Sequence, residues 1–244
     1  MTERAGSPPR RRPGSLAGLL ASATGREPVA DAPGKSGATL ERLEIAGHRY
    51  VLKHLDLAFE EIVVPLDTPN SRDELERYGP SGRVPVLLAG TLRVWDSLAI
   101  CEYAAEIAGS GWPQAREARA LARSVCAEMH SGFHHLRAAW PMNARARNRR
   151  TAVTPGLEAD IARIDEIWND CRHRYGGGGS WLFGDYSIAD AMYAPVVLRF
   201  NTYGARVSEN ARWYMASVIE DAALQEWMLA AKQEPWTIAN DEAG

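Results

Sequence analysis

The periodicity of apolar residues changes once along this chain, near 109–113, and that change restricts it to a strand-bearing unit followed by a helical one. Before the change, Val84-Pro85-Val86-Leu87-Leu88 and Leu92-Arg93-Val94-Trp95 are short β-rich runs, and Ala89-Gly90 between them predicts a tight turn. A further β-rich run over 59–66 predicts another strand, and 49–57 predicts a helix with Val51, Leu52 and Leu55 on one side. The polar stretch 69–78 is short helix or loop, and Ser97 opens a helix that buries Leu98, Ile100, Cys101 and Ala104 or Ala105. After the change, apolar residues at 118, 121, 122, 125, 126, 129, 133 and 136 form a stripe of helical period. Leu157, Ile161, Ile164, Trp168, Cys171 and Tyr175 form a second, which the run Gly176 to Gly179 must end. Ser187 starts another helix, and Ser208 and Asp221 are candidate caps for two more.

Composition sets the limits of the packed region. Residues 1–38 hold six Gly and five Pro, with six basic and three acidic residues, while all 20 aromatic residues of the chain lie at position 50 or beyond. A segment with no aromatic side chain has little to bury, so 1–38 is expected to be a disordered tail. Arg10-Arg11-Arg12 ahead of Leu16 to Ala23 has the outline of an export signal, but Pro13 and Gly14 interrupt its start, and a solvated tail is the simpler reading. The expected domains are then 39–108, 114–236 and a short tail over 237–244. No apolar run reaches the length of a spanning helix, so no membrane is expected as partner. The net charge of -3 argues against nucleic acid, whose binders carry a basic face. Cys101, Cys126 and Cys171 are odd in number and far apart, so they read as reduced, buried thiols of a cytoplasmic protein rather than a disulfide frame.

Three short motifs carry chemistry. In Gly82-Arg83-Val84-Pro85-Val86-Leu87 a proline enters a strand, where it must sit at a start or an edge. A cis Val84-Pro85 bond would turn the Val84 backbone outward and offer its N–H and C=O to a ligand. Asp96-Ser97 lies between a strand and a helix, where free N–H groups and the helix dipole favour an anion. Ser97 as a plain N-cap, with no ligand, is the competing reading. Ser187-x-x-Asp190 is a capping box, a folding signal and nothing more.

Taken in order, GRVPVLL, VWDSLAICEY, AEMHSGF and FGDYSIADAMYAPVV resemble the glutathione S-transferase family, and especially its soluble bacterial, serine-type members. The resemblance covers roughly 49–236. It implies an α+β architecture: a thioredoxin-like N-terminal domain followed by an all-α C-terminal domain, in a homodimer. It implies glutathione as co-substrate and no metal. The Val84 backbone, with Pro85 cis, would bond the cysteinyl part of the tripeptide. Ser97 and the helix N-terminus would take the γ-glutamyl carboxylate, and Asp96 would attract the ammonium. A zwitterionic head of that kind needs one anionic partner and one nest of donors. The activity implied is attack of the glutathione thiolate on a small hydrophobic electrophile, or its use as a reductant, in detoxification.

The sequence departs from the family where the thiol-activating residue belongs. A Ser, Tyr or Cys is expected eight to twelve residues before the dipeptide corresponding to Lys53-His54, yet Glu41-Arg42-Leu43-Glu44-Ile45-Ala46 has no hydroxyl or thiol. Thr39, His48 and Tyr50 are the nearest polar residues, and none matches by position. No catalytic residue is therefore assigned. Either transferase chemistry has been lost, leaving a non-catalytic binding or interaction protein, or residues 1–48 are not the true start and reflect an out-of-frame reading of GC-rich DNA.

Other clusters rank lower. His130 and His134 are spaced i, i+4, but no third ligand stands at useful spacing and the general-base carboxylate of metallopeptidase helices is missing, so no metal is expected. Met129 and Phe133 are core residues or line the electrophile pocket. Arg145, Arg147, Arg149 and Arg150 read as a solvated loop, with attraction of an anionic co-substrate as the alternative. The tetraglycine lacks the Lys-Ser/Thr of a phosphate loop. Trp112, Trp140, Trp168, Trp181, Trp213, Trp227 and Trp236 read as packing anchors.

Overall fold

A computed structural model describes residues 54, 55, 57, 59, 62, 64, 69–233, 237 and 242–244. The expected tail over 1–38, the helix over 49–57, the strand over 59–66 and the window Glu41 to Ala46 lie wholly or largely outside the described residues, as does Trp236. Helix α1 (Ser71–Tyr78) leads through Gly82 to strands β1 (Val86–Ala89) and β2 (Leu92–Trp95). The two strands pair antiparallel, Val86 opposite Trp95 and Ala89 opposite Leu92, across a turn in which Gly90 takes φ 62°. That positive φ is the reason glycine stands there. Helix α2 (Ser97–Ala108) follows at once and buries Ile100, Cys101, Ala104 and Ala105 as expected, whereas Leu98 is only half-buried.

The chain leaves α2 through Gly109 at φ 65° and enters the helical unit: α3 (Arg116–Ser131), α4 (His134–Ala139), α5 (Pro155–Tyr175), α6 (Ile188–Tyr203), α7 (Glu209–Glu220) and α8 (Ala222–Gln233). The stripe that predicts one helix over 118–136 is shared by two. Gly132 is extended and Phe133 is left-handed (φ 58°), which breaks the helix while Phe133 and Leu136 both remain buried. Burial of the stripe, not continuity of the backbone, is what the period records.

The other helix starts follow their caps. Thr154 Oγ1 accepts from Leu157 N–H at 3.3 Å with Pro155 at the first turn, and Ser208 Oγ accepts from Ala211 N–H at 3.2 Å. Asp221 Oδ1 accepts from the N–H groups of Ala223 and Leu224 at 2.9 and 3.1 Å. Helix α6 is buried almost all round and forms the axis of the core. Trp168 of α5, fully buried, meets Tyr193 and Phe200 of α6 and Tyr214 of α7 at centroid distances of 5.8, 5.3 and 5.0 Å. The Tyr193 hydroxyl donates to the Val125 carbonyl of α3 at 3.1 Å, tying the axis to the helix that faces the strand-bearing unit.

Several links among the described residues join the two units, the first two of them near the interdomain join. Ile188 N–H donates to the Gly111 carbonyl at 2.8 Å, fixing the start of α6 to the interdomain join. Between α2 and α3, Arg123 makes a two-pronged pair with Glu102 at 2.9 and 3.1 Å, and Glu102 Oε2 also accepts from Trp112 Nε1 at 3.0 Å.

Candidate functional site at one end of the hairpin

The register of the hairpin decides what meets at its open end. Val86 faces Trp95, so the residues immediately outside the ladder, Val84-Pro85 on one strand and Asp96-Ser97 on the other, emerge at the same end. The Val84–Pro85 peptide bond is cis. Asp96 adopts φ 74° and ψ 134°, a backbone conformation uncommon for a residue with a side chain. Its Oδ1 accepts from Leu98 N–H at 2.9 Å, so Asp96, and not Ser97, is the N-cap of α2. Sequence reasoning left open whether Ser97 merely caps. With Asp96 in that place, Ser97 is the first helical residue. The site therefore presents a half-exposed carboxylate beside a hydroxyl, at the positive end of a twelve-residue helix.

A third side chain arrives from the other unit. His130, in the last turn of α3, places Nε2 at 2.8 Å from Asp96 Oδ2 and Nδ1 at 3.4 Å from Ser97 Oγ. Its spacing to His134 suggested only a metal pair. What brings it here is its place on the α3 face that meets α2, seven residues beyond Arg123. No pattern within one helix could show that its partner lies in a different domain.

Residues 48–107 match the glutathione S-transferase N-terminal domain family. The match is confined to the strand-bearing unit, and the chain as a whole carries the glutathione transferase fold. Two dichloromethane dehalogenases are similar over a short stretch: that of Methylorubrum extorquens is 38% identical over 63 residues, and that of Methylophilus leisingeri 35% over 79. The stretches cover 25% and 30% of this chain, and the chain spans only 22% and 29% of the length of these relatives. A glutathione transferase homolog from Burkholderia with bound glutathione superposes with a TM-score of 0.62 at 22% identity, covering 82% of this chain and 97% of that one.

Within this transferase fold the remaining sequence candidates fall in different places. Met129 and Phe133 are buried in the core of the helical unit, and Arg137 donates to the Met129 carbonyl at 2.8 Å. Ser187 and Asp190 form the capping box: Asp190 Oδ2 accepts from Ser187 N–H at 2.8 Å and from its hydroxyl at 3.1 Å, while Oδ1 takes Leu182 N–H at 3.0 Å. Burial pushes the Asp190 carboxyl up to about 6 against the opposing pull of those donors. All three cysteines are buried and free of disulfides. Burial, reinforced by Glu102 and Asp96, pushes the Cys101 thiol up to about 12, and Cys171 likewise reaches about 12, so neither supplies a thiolate at neutral pH.

The arginine cluster is not simply a solvated loop. Arg149 pairs with Glu242, which also accepts from Asn143 at 2.9 Å, and Arg145 Nη2 lies 3.4 Å from Thr237 Oγ1. Trp140, Trp168 and Trp227 are buried anchors, but Trp213 is 65% exposed. Among the described residues, no group of three His, Cys, Asp or Glu side chains is placed to hold a metal, and no helix is long and apolar enough to cross a membrane. A cavity of about 820 Å³ between α3, α5 and the tetraglycine loop, lined by Leu121, Val125, Arg163 and Arg172 among others, includes none of the hairpin-end residues.

Proposed function

We propose that this chain binds glutathione at the open end of the hairpin and uses its thiolate to attack a small hydrophobic electrophile or to act as a reductant. The observation that carries the reading is the meeting of the Val84-Pro85 segment with the Asp96 cap and the Ser97 hydroxyl at one end of the hairpin. In this reading the Val84 N–H and C=O take the cysteinyl backbone of the tripeptide. Asp96 attracts the ammonium, and Ser97 with the first N–H groups of α2 receives the γ-glutamyl carboxylate. The Burkholderia homolog of the same fold holds glutathione, which supports the ligand. The enzyme's contribution is to lower the cost of forming the thiolate and to hold the two reactants together. The short similarity to dichloromethane dehalogenases makes halogenated carbon the first electrophile class to try. We place the protein in the cytoplasm as a homodimer, in keeping with its family.

A second reading has its own support: a glutathione-binding or interaction protein without turnover. The window Glu41 to Ala46 has no thiol-activating side chain, and the three buried cysteines cannot replace one. Titration calorimetry with glutathione, followed by turnover assays with an aryl halide and with dichloromethane, separates the two. Binding with turnover supports the first reading, and binding alone supports the second. Absence of binding overturns the first reading and leaves only an interaction protein.

A further inference from the structure

We propose that His130 is a positioning residue for the amino-acid head of glutathione: from the helical domain it pins the Asp96 carboxylate that receives the ammonium. The inference rests on the binding site of the preceding section and adds a residue which neither its sequence motif nor its helix assigns to that site.

The chemistry of the ring fixes the direction of each bond. A neutral imidazole has one N–H and one lone pair, and an ionised carboxylate only accepts. The 2.8 Å contact to Asp96 Oδ2 therefore requires the proton on Nε2. Nδ1 is then the acceptor, and Ser97 Oγ–H the donor, at 3.4 Å. The first contact has the length of a charge-assisted hydrogen bond and the second is long for an O–H donor, so the ring holds Asp96 firmly and Ser97 loosely.

The consequence for a ligand follows from counting what each group has left. Asp96 is held at both oxygens, Oδ1 by Leu98 N–H of its own helix and Oδ2 by His130 of the other domain. Each oxygen keeps a second lone pair, so a carboxylate of fixed orientation still offers itself to an ammonium. A half-exposed aspartate held only at its cap would have to be ordered by the ligand, at the ligand's expense.

The test compares two ligands on three proteins: glutathione and N-acetylglutathione, which lacks the ammonium charge, titrated into the full chain, His130→Ala and His130→Gln. The wild type should prefer glutathione. His130→Ala should lose about three- to tenfold in glutathione affinity, as expected for one partly exposed charged hydrogen bond, and change its N-acetylglutathione affinity by less than about twofold. His130→Gln, which can still donate to Asp96, should recover part of the preference. An equal loss for both ligands would show a merely structural role, and no loss for either would show no role; each overturns the inference while glutathione binding by the wild type stands. A wild type that binds neither ligand overturns the site itself and this inference with it.

Discussion

Two helix starts in this chain are built from the same two residue types and do opposite work. At α6, Ser187 and Asp190 are sealed in the core, and all the bonds described for Asp190 go to its own chain. At α2, Asp96 and Ser97 stand at the surface, with Asp96 in a positive-φ conformation and one of its partners supplied by a different domain. Both satisfy orphan N–H groups, as any cap does. The difference lies in what remains afterwards. A cap whose acceptors are spent inside the fold is a folding device. A cap that keeps carboxylate lone pairs at the surface is open to a ligand.

The largest expected effect tests the first half of that contrast. Asp190→Ala strands the buried N–H groups of Leu182 and Ser187, so unfolding free energy should fall by about 3–5 kcal/mol, read by chemical denaturation. The pH dependence is next. The Asp190 carboxyl is pushed up to about 6 in the folded protein from an ordinary value of 3.8. The folded state thus holds this proton more tightly than the unfolded chain does. The stabilisation is greatest below the unfolded value and is lost as pH rises from about 4 to about 6, a change on the order of 3 kcal/mol. Asp190→Asn cannot ionise, so the stability gap between wild type and this variant should be wider at pH 4 than at pH 7. A gap independent of pH would show that the carboxyl stays ionised throughout and that its donors outweigh its burial.

The α2 cap should respond the other way round. Asp96→Ala removes one exposed cap, worth about 1 kcal/mol of stability, yet it should weaken glutathione binding by about tenfold or more in calorimetry. A loss of stability matching that of Asp190→Ala, with affinity intact, would erase the distinction between the two caps.

How much of this was legible in the sequence depends on the range over which each interaction acts. The hairpin, the start of α2, the caps at Ser208 and Asp221 and the Ser187–Asp190 box depend on neighbours within a few positions, and periodicity or capping chemistry exposes them. The break at Gly132-Phe133 was hidden because both short helices keep the same buried stripe. The identity of the α2 cap was ambiguous because Asp and Ser are both good caps, and only the Asp96 backbone conformation decides between them. His130 was invisible as a site residue because its partners lie 33 and 34 positions away in another domain. The same limit applies to Arg145 and Arg149 of the arginine cluster, whose partners Thr237 and Glu242 lie more than ninety positions downstream.

The smallest expected effect separates a specific contact from general packing of the two domains. Arg123 and His130 lie on the same face of α3, and both reach carboxylates supplied by the strand-bearing unit, Glu102 and Asp96. If the site depended only on α2 and α3 staying together, weakening either pair would lower glutathione affinity. Arg123→Met keeps the apolar stem and removes the ion pair and the charge that lies 5.5 Å from the Trp112 ring. Its cost in stability should be about 0.5–1 kcal/mol, since the Arg123 side chain is half exposed. Glutathione affinity should stay within about twofold of wild type, because removing a distant charge pair leaves Asp96 held at both oxygens. Should Arg123→Met and His130→Ala reduce affinity alike, the relevant quantity would be the spacing of the two helices and not the bond to Asp96. The outward-facing cap would then owe its competence to the domain interface as a whole.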